Sequence, residues 1–88
     1  MKRWTLVFTH QAERDLARLD GSIRRRVIKK LDEFIDHFEV SPRNPLTGDL
    51  GEFFKLRIGD WRIVYKISWD NGVITICYID HRDKIYKR

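Results

Sequence analysis

The chain is poor in the residues that lock small proteins covalently or through metals. Its one cysteine, Cys77, has no internal partner, so no intrachain disulfide can form. The three histidines, His10, His37 and His81, stand too far apart for a zinc-ligand spacing. Neither a structural metal nor a cofactor is expected, and the cysteine usage points to a reducing compartment, the cytoplasm. Long apolar runs are also missing. The richest stretch, Val73 to Ile79, falls far short of a membrane span, and after Lys2 and Arg3 the first ten residues alternate instead of building a signal peptide's apolar stretch. No membrane is expected among the partners. Internal repeats and low-complexity tracts are absent as well.

What is present suffices for one folded unit. A chain of 88 residues buries only about 60–65 % of its unfolded surface, which leaves room for one core and a single domain over residues 1–88. A hydrophobic fraction of 42 % with 12 % aromatics exceeds what disordered chains carry, whose sparse apolar groups cannot offset the entropy of ordering. Eighteen basic against thirteen acidic residues give a net charge of +5. That excess fits a polyanionic partner, since Lys and Arg release counterions on meeting phosphates, and it fits a solvated basic surface equally well. Position along the fold has to separate the two.

Trp4, Leu6 and Phe8 alternate with Thr5 and Val7, which predicts a first strand, and Thr9 suits a helix N-cap. From His10 to Leu19 the apolar positions Ala12, Leu16 and Leu19 recur at helical spacing. Asp20-Gly21 should stop that helix and Ser22 should cap the next. The second helix carries Ile23, Val27, Leu31, Phe34, Ile35 and Phe38 on one face. A punctuated loop follows, with Pro42, Pro45, Gly48 and Gly51. The pattern then switches to period two: Phe54, Leu56 and Ile58, a Gly59-Asp60 turn, then Trp61, Ile63, Tyr65 and Ile67. Asp70-Asn71-Gly72 is a further turn signal before the β-branched run Val73 to Ile79. An α+β fold is expected: N-terminal strand, two-helix hairpin, then a mainly antiparallel sheet.

With Gly59-Asp60 as the turn, Ile58 faces Trp61, Arg57 faces Arg62 and Lys55 faces Val64. One hairpin face is then apolar and can cover the helices. The other presents Lys55, Arg57, Arg62 and Lys66. Like charges directly opposite on a sheet destabilise it by up to about 1 kcal/mol per pair, so the opposed arginines call for something anionic. With a two-residue Asn71-Gly72 turn and no bulge, Arg62 would face His81, and either His81 or Arg82 would lie beside the cationic face. A second basic cluster, Arg24, Arg25, Arg26, Lys29 and Lys30, crowds the start of the second helix, the dipole end that disfavours cations. It reads as a feature outside the hairpin site, either a solvated helix face or a footprint on RNA.

The stretch Phe54-Lys55-Leu56-Arg57-Ile58-Gly59-Asp60-Trp61-Arg62-Ile63-Val64-Tyr65, followed by a strand and His81-Arg82-Asp83-Lys84-Ile85-Tyr86, resembles the RelE/ParE toxin superfamily. The resemblance extends through the loop around Leu46, Gly48 and Leu50, and it implies a RelE-like, microbial-ribonuclease-like fold. RelE-like members cut mRNA in the ribosomal A site, whereas ParE-like members poison DNA gyrase. The RelE pattern puts Lys55, Arg57, Arg62, Arg82 and Tyr86 at the catalytic positions, with an arginine at 57 where RelE has lysine and without a further C-terminal helix.

Such a set suits attack of a ribose 2′-OH on phosphorus, where fixed cations stabilise the charge that develops on the equatorial oxygens. Arg57 and Arg62 fit that role. Among crowded cations a lysine is the one able to give up a proton, so Lys55 is the candidate base. Arg82 would stand near the leaving oxygen with His81 as a rival acid, and Tyr86 would stack on or orient a base. The helix cluster and Lys66 would contact RNA or the ribosome. The partners implied are the ribosome, mRNA and a cognate antitoxin. The alternatives are a ParE-like gyrase inhibitor and a catalytically inactive basic RNA-binding module.

Overall fold

A computed structural model describes residues 4–38, 44–45 and 53–81 of the protein. The elements run β1 (Thr5–Phe8), α1 (His10–Ala17), α2 (Gly21–Asp36), β2 (Asn44–Pro45), β3 (Phe54–Ile58), β4 (Trp61–Ser68) and β5 (Val73–His81). They form a five-stranded sheet in the order β1-β5-β4-β3-β2. β1 runs parallel to β5, and the remaining pairs are antiparallel. The α+β arrangement expected from the alternation and helical spacing is the one observed. β2 lies within the punctuated loop and is too short to read from sequence; as the outermost strand it tolerates a proline, which cannot donate to a ladder. None of the described helices is long and apolar enough to cross a membrane.

Thr9 caps α1 as its sequence position suggests, its hydroxyl accepting from Ala12 N at 3.1 Å. α2 departs from expectation. Asp20, not Ser22, holds the N-cap position: its carbonyl accepts the first helical bond, from Arg24 N at 2.8 Å, and its side chain makes no capping bond. The Arg24 guanidinium instead donates to the carbonyl of Ala17 at the end of α1, 3.3 Å away. A cation at the start of α2 therefore sits at the negative end of α1, which offsets the unfavourable dipole of its own helix.

Both helices pack on one face of the sheet. Ala12, Val27 and Leu31 from the helices meet Ile63, Ile74 and Ile76 from β4 and β5, each with at most 1 % of its surface exposed. Each large aliphatic group buried in this way contributes about 1.5–3 kcal/mol.

The β4–β5 ladder decides which side chains share the open face. Ser68 pairs with Val73, so the connection spans Trp69 to Gly72 rather than two residues, with Gly72 at φ 65° and Asn71 Nδ2 bonded to Ser68 Oγ at 3.0 Å. Further along, Tyr65 pairs with Ile76 but Val64 with Tyr78, leaving Cys77 as an extra residue on β5. This bulge keeps the apolar pattern inside. Ile74 and Ile76 point to the helices on even numbers and Ile79 does so on an odd one, and all three are buried.

Helix α1 holds the bulge. Thr9 Oγ1 donates to Cys77 O at 2.7 Å, and the buried Asp15 accepts from Ile79 N at 2.9 Å. Past Ile76 these contacts replace β1, which ends at Phe8. Asp15 also accepts from Gln11 Nε2 and Arg18 Nη2, each at 2.7 Å. The Arg18 side chain is 72 % exposed, so that ion pair adds little. The buried bond to Ile79 matters more, because an orphaned N–H costs about 1–3 kcal/mol and bonds to a charged group are the stronger kind. Asp15→Ala should lower unfolding stability by about 3 kcal/mol in denaturant titration, and Asp15→Asn, which keeps an acceptor, by less than half of that. Equal losses for the two would mean that the acceptor is not what counts.

Candidate functional site

The hairpin of β3 and β4 has the register its alternation predicts: Ile58 opposite Trp61, Arg57 opposite Arg62, Lys55 opposite Val64. Phe54, Leu56 and Trp61 lie against the core on the helix side. Lys55, Arg57, Arg62 and Lys66 therefore share the opposite face, which neither helix covers and which is called the open face below. The Arg62 guanidinium curls back on the turn, donating to Gly59 O at 3.2 Å and Trp61 O at 3.3 Å. Gly59 adopts φ 59°, a conformation that favours glycine.

The third member of the row differs from expectation. The bulge brings Asp80, not His81, opposite Arg62. Arg57, Arg62 and Asp80 thus occupy one row across three strands; the Arg62 guanidinium stays on the turn carbonyls, and the Asp80 carboxylate accepts from His81 N at 3.2 Å. His81 pairs with Trp61 on the helix-facing side, its ring edge-on to the indole with centroids 5.4 Å apart. The structure does not bring His81 to the cationic row. Arg82 and Tyr86 lie outside the described residues, as do Leu46, Gly48 and Leu50.

The helix cluster divides. Arg24 caps α1, and Arg25 and Lys29 are exposed. Arg26 and Lys30 instead line an open groove of about 550 Å³ between α2 and β3, which Arg57 also lines. The Arg26 guanidinium nitrogens stand 3.4 Å from where a Cβ on Gly59 would lie. Two of the five residues read as a separate feature, Arg26 and Lys30, are therefore continuous with the hairpin site around the edge of β3. Lys30 is shared with Glu33, 3.9 Å away.

Row by row, the open face continues with Lys55, Val64 and Tyr78, then with Lys66, whose ammonium lies 5.3 Å from the centre of the Phe53 ring. Phe53 and Tyr78 were not picked out from the sequence, although Phe53-x-Lys55-x-Arg57 is an aromatic and basic alternation on a single face. Burial pushes the Cys77 thiol up from its ordinary value, with Lys66 pulling weakly the other way, so near neutral pH it stays protonated. Among the described residues, no three His, Cys, Asp or Glu side chains gather as metal ligands do.

The described residues thus form a two-helix layer on one face of a five-stranded sheet, with two arginines opposed on the other face. The family model of the ParE toxin of type II toxin–antitoxin systems matches residues 6–86. Toxin RelG of Mycobacterium tuberculosis is 31 % identical over 85 residues, covering 97 % of this chain and 98 % of the relative. Among solved structures, the RelBE2 toxin–antitoxin complex of the same organism superposes with a TM-score of 0.81 at 28 % identity, covering 92 % of this chain and all of that one. The intact Escherichia coli RelBE complex does so at 0.74 and 21 % identity, over 89 % and 95 % of the two chains, a likeness of fold. The chain belongs to the RelE/ParE superfamily and is a RelE-like toxin of a type II toxin–antitoxin system.

Proposed function

We propose that this toxin is an endoribonuclease that cuts mRNA in the ribosomal A site, needs no metal for the cleavage step, and is neutralised in the cytoplasm by a cognate antitoxin. The observation that carries the reading is the row Arg57–Arg62 with Lys55 in the adjoining row, all on a sheet face that the helices leave open. Folding alone gains nothing from two arginines placed directly opposite each other. A transition state that spreads negative charge over phosphate oxygens gains from both.

In this scheme Lys55 takes the proton of the 2′-OH. The 2′-oxygen forms a bond to phosphorus, the bond from phosphorus to the 5′-oxygen breaks, and that oxygen is protonated as it leaves. Arg57 and Arg62 hold the non-bridging oxygens. Arg82, from its place in the H-R-x-x-x-Y motif, serves the leaving oxygen, and Tyr86 orients a base. His81 drops behind Arg82 as the acid, since its ring meets Trp61 edge-on on the other side of the sheet. Arg26, Lys30 and Lys66 extend the cationic surface along which RNA backbone can run.

The match to the ParE family model favours one rival, the poisoning of DNA gyrase. Induced expression followed by mapping of both mRNA ends and gyrase-linked DNA breaks separates them. New mRNA ends in phase with codons and no excess of DNA breaks are expected; breaks without new mRNA ends would overturn the proposal.

A further inference from the structure

The open face carries a second apolar cluster, apart from the main core. Val64 has no exposed surface there, with Phe53, Cys77 and Tyr78 packed against it. The solvated face of an antiparallel sheet ordinarily alternates to polar residues. Here the non-apolar neighbours are cations almost throughout. Tyr78 is joined through Val64 to Lys55, one row from Arg57 and Arg62, and Phe53 lies under the Lys66 ammonium at 5.3 Å. Both rings are half-buried.

Aromatic rings interleaved with cations on an open sheet are what single-stranded nucleic acid uses. The rings offer flat apolar surface to bases and the cations follow the phosphates. Successive rows on a strand face are about 6.8 Å apart, a step that one nucleotide can span. A protein partner of opposite charge would meet the same cations and rings, but the one-row step between ring and arginines matches the repeat of a nucleotide chain, and antitoxin capture in the test below separates the two.

We propose that Tyr78, with Phe53 beside it, forms a stacking subsite for the nucleobase adjoining the scissile phosphate, so that the base rests on the Tyr78 ring while the phosphate lies on the Arg57–Arg62 row. The proposal rests on the endoribonuclease reading and adds to it a means of fixing the substrate's register. Tyr78 is a positioning residue here and takes no part in proton transfer.

The test uses a short single-stranded oligoribonucleotide that carries 2-aminopurine beside a 2′-deoxy scissile position, which prevents cutting. Bound to the free toxin, it should show the fluorescence quenching of a stacked base. Tyr78→Leu should weaken binding about tenfold and relieve the quenching, whereas Tyr78→Phe and Tyr78→Trp, which keep a ring, should retain both. An abasic site in place of 2-aminopurine should cost the wild type about the same tenfold and cost Tyr78→Leu nothing further, because the two changes remove one contact. Fully additive losses, or Tyr78→Phe binding as weakly as Tyr78→Leu, would overturn the subsite. So would unchanged oligonucleotide binding by Tyr78→Leu together with weaker capture of antitoxin, which would make the patch a protein contact. If the parent reading fails instead, the wild type will leave ribosome-bound mRNA uncut while still quenching the oligonucleotide.

Discussion

Replacing Arg57 and Arg62 together with threonine should abolish toxicity and leave the protein folded, with its unfolding free energy within about 1 kcal/mol of the wild type. The opposed guanidinium groups repel, so their loss relieves up to about 1 kcal/mol. The same change removes the hydrogen bonds that Arg62 donates to Gly59 O and Trp61 O at the hairpin turn, which together are worth about 1 kcal/mol at so exposed a site. The two terms nearly cancel, and threonine suits a strand. Activity is another matter. Each fixed donor aimed at developing charge is worth about 10²–10³ in rate, so the double variant should cut programmed ribosomes at least 10³-fold more slowly, an order-of-magnitude floor. Asp80→Asn should act in the opposite sense on RNA binding, since it removes a negative charge from the strand position paired with Arg62. A double threonine variant that melts early but still cuts mRNA would show that the arginines serve the fold and not the substrate.

The hairpin was legible because two independent signals agree there. Strict alternation from Phe54 to Ile58 and from Trp61 to Tyr65 fixes the faces, and Gly59-Asp60 fixes the register between them. On β5 the signals conflict. Val73 to Ile79 favours a strand throughout, so propensity hides the place where period two breaks. The clue is the spacing of the isoleucines, 74, 76 and then 79, which keeps its inward face only if one residue between 76 and 79 is looped out. Reading that spacing would have placed Asp80 beside Arg62 and turned His81 toward Trp61. The helix cluster failed for another reason. Whether Arg26 reaches the hairpin depends on how α2 crosses the edge of β3, a packing geometry that no local pattern encodes. Arg24 was misread likewise, because its partner is the end of a different helix.

Lys55→Met should slow the cleavage step at saturating ribosome by about 10²–10⁴-fold, the usual worth of a positioned general base, with far less change in the concentration needed for half-maximal rate. Methionine keeps the length and much of the apolar stem of lysine but cannot accept a proton, and Lys55 is half-buried and paired with Val64 in the ladder, so an apolar stem suits the position. The same logic applies to the substrate. A message with hydrogen in place of the 2′-OH at the scissile nucleotide lacks the nucleophile, so it should occupy the A site and remain whole. Cut products should end in a 2′,3′-cyclic phosphate or its 3′-phosphate hydrolysis product, whereas metal-activated water would leave no cyclic intermediate. His81→Gln should change the rate little, given the place of His81 against Trp61, while Arg82→Lys should cost more if the motif arginine serves the leaving oxygen. Survival of activity in Lys55→Met, or its loss to a chelator under conditions that keep the ribosome intact, would rule out this site; a large loss for His81→Gln would mean that β5 changes register when RNA binds, because in the register held by Asp15 the imidazole cannot reach the phosphate from the far side of the sheet.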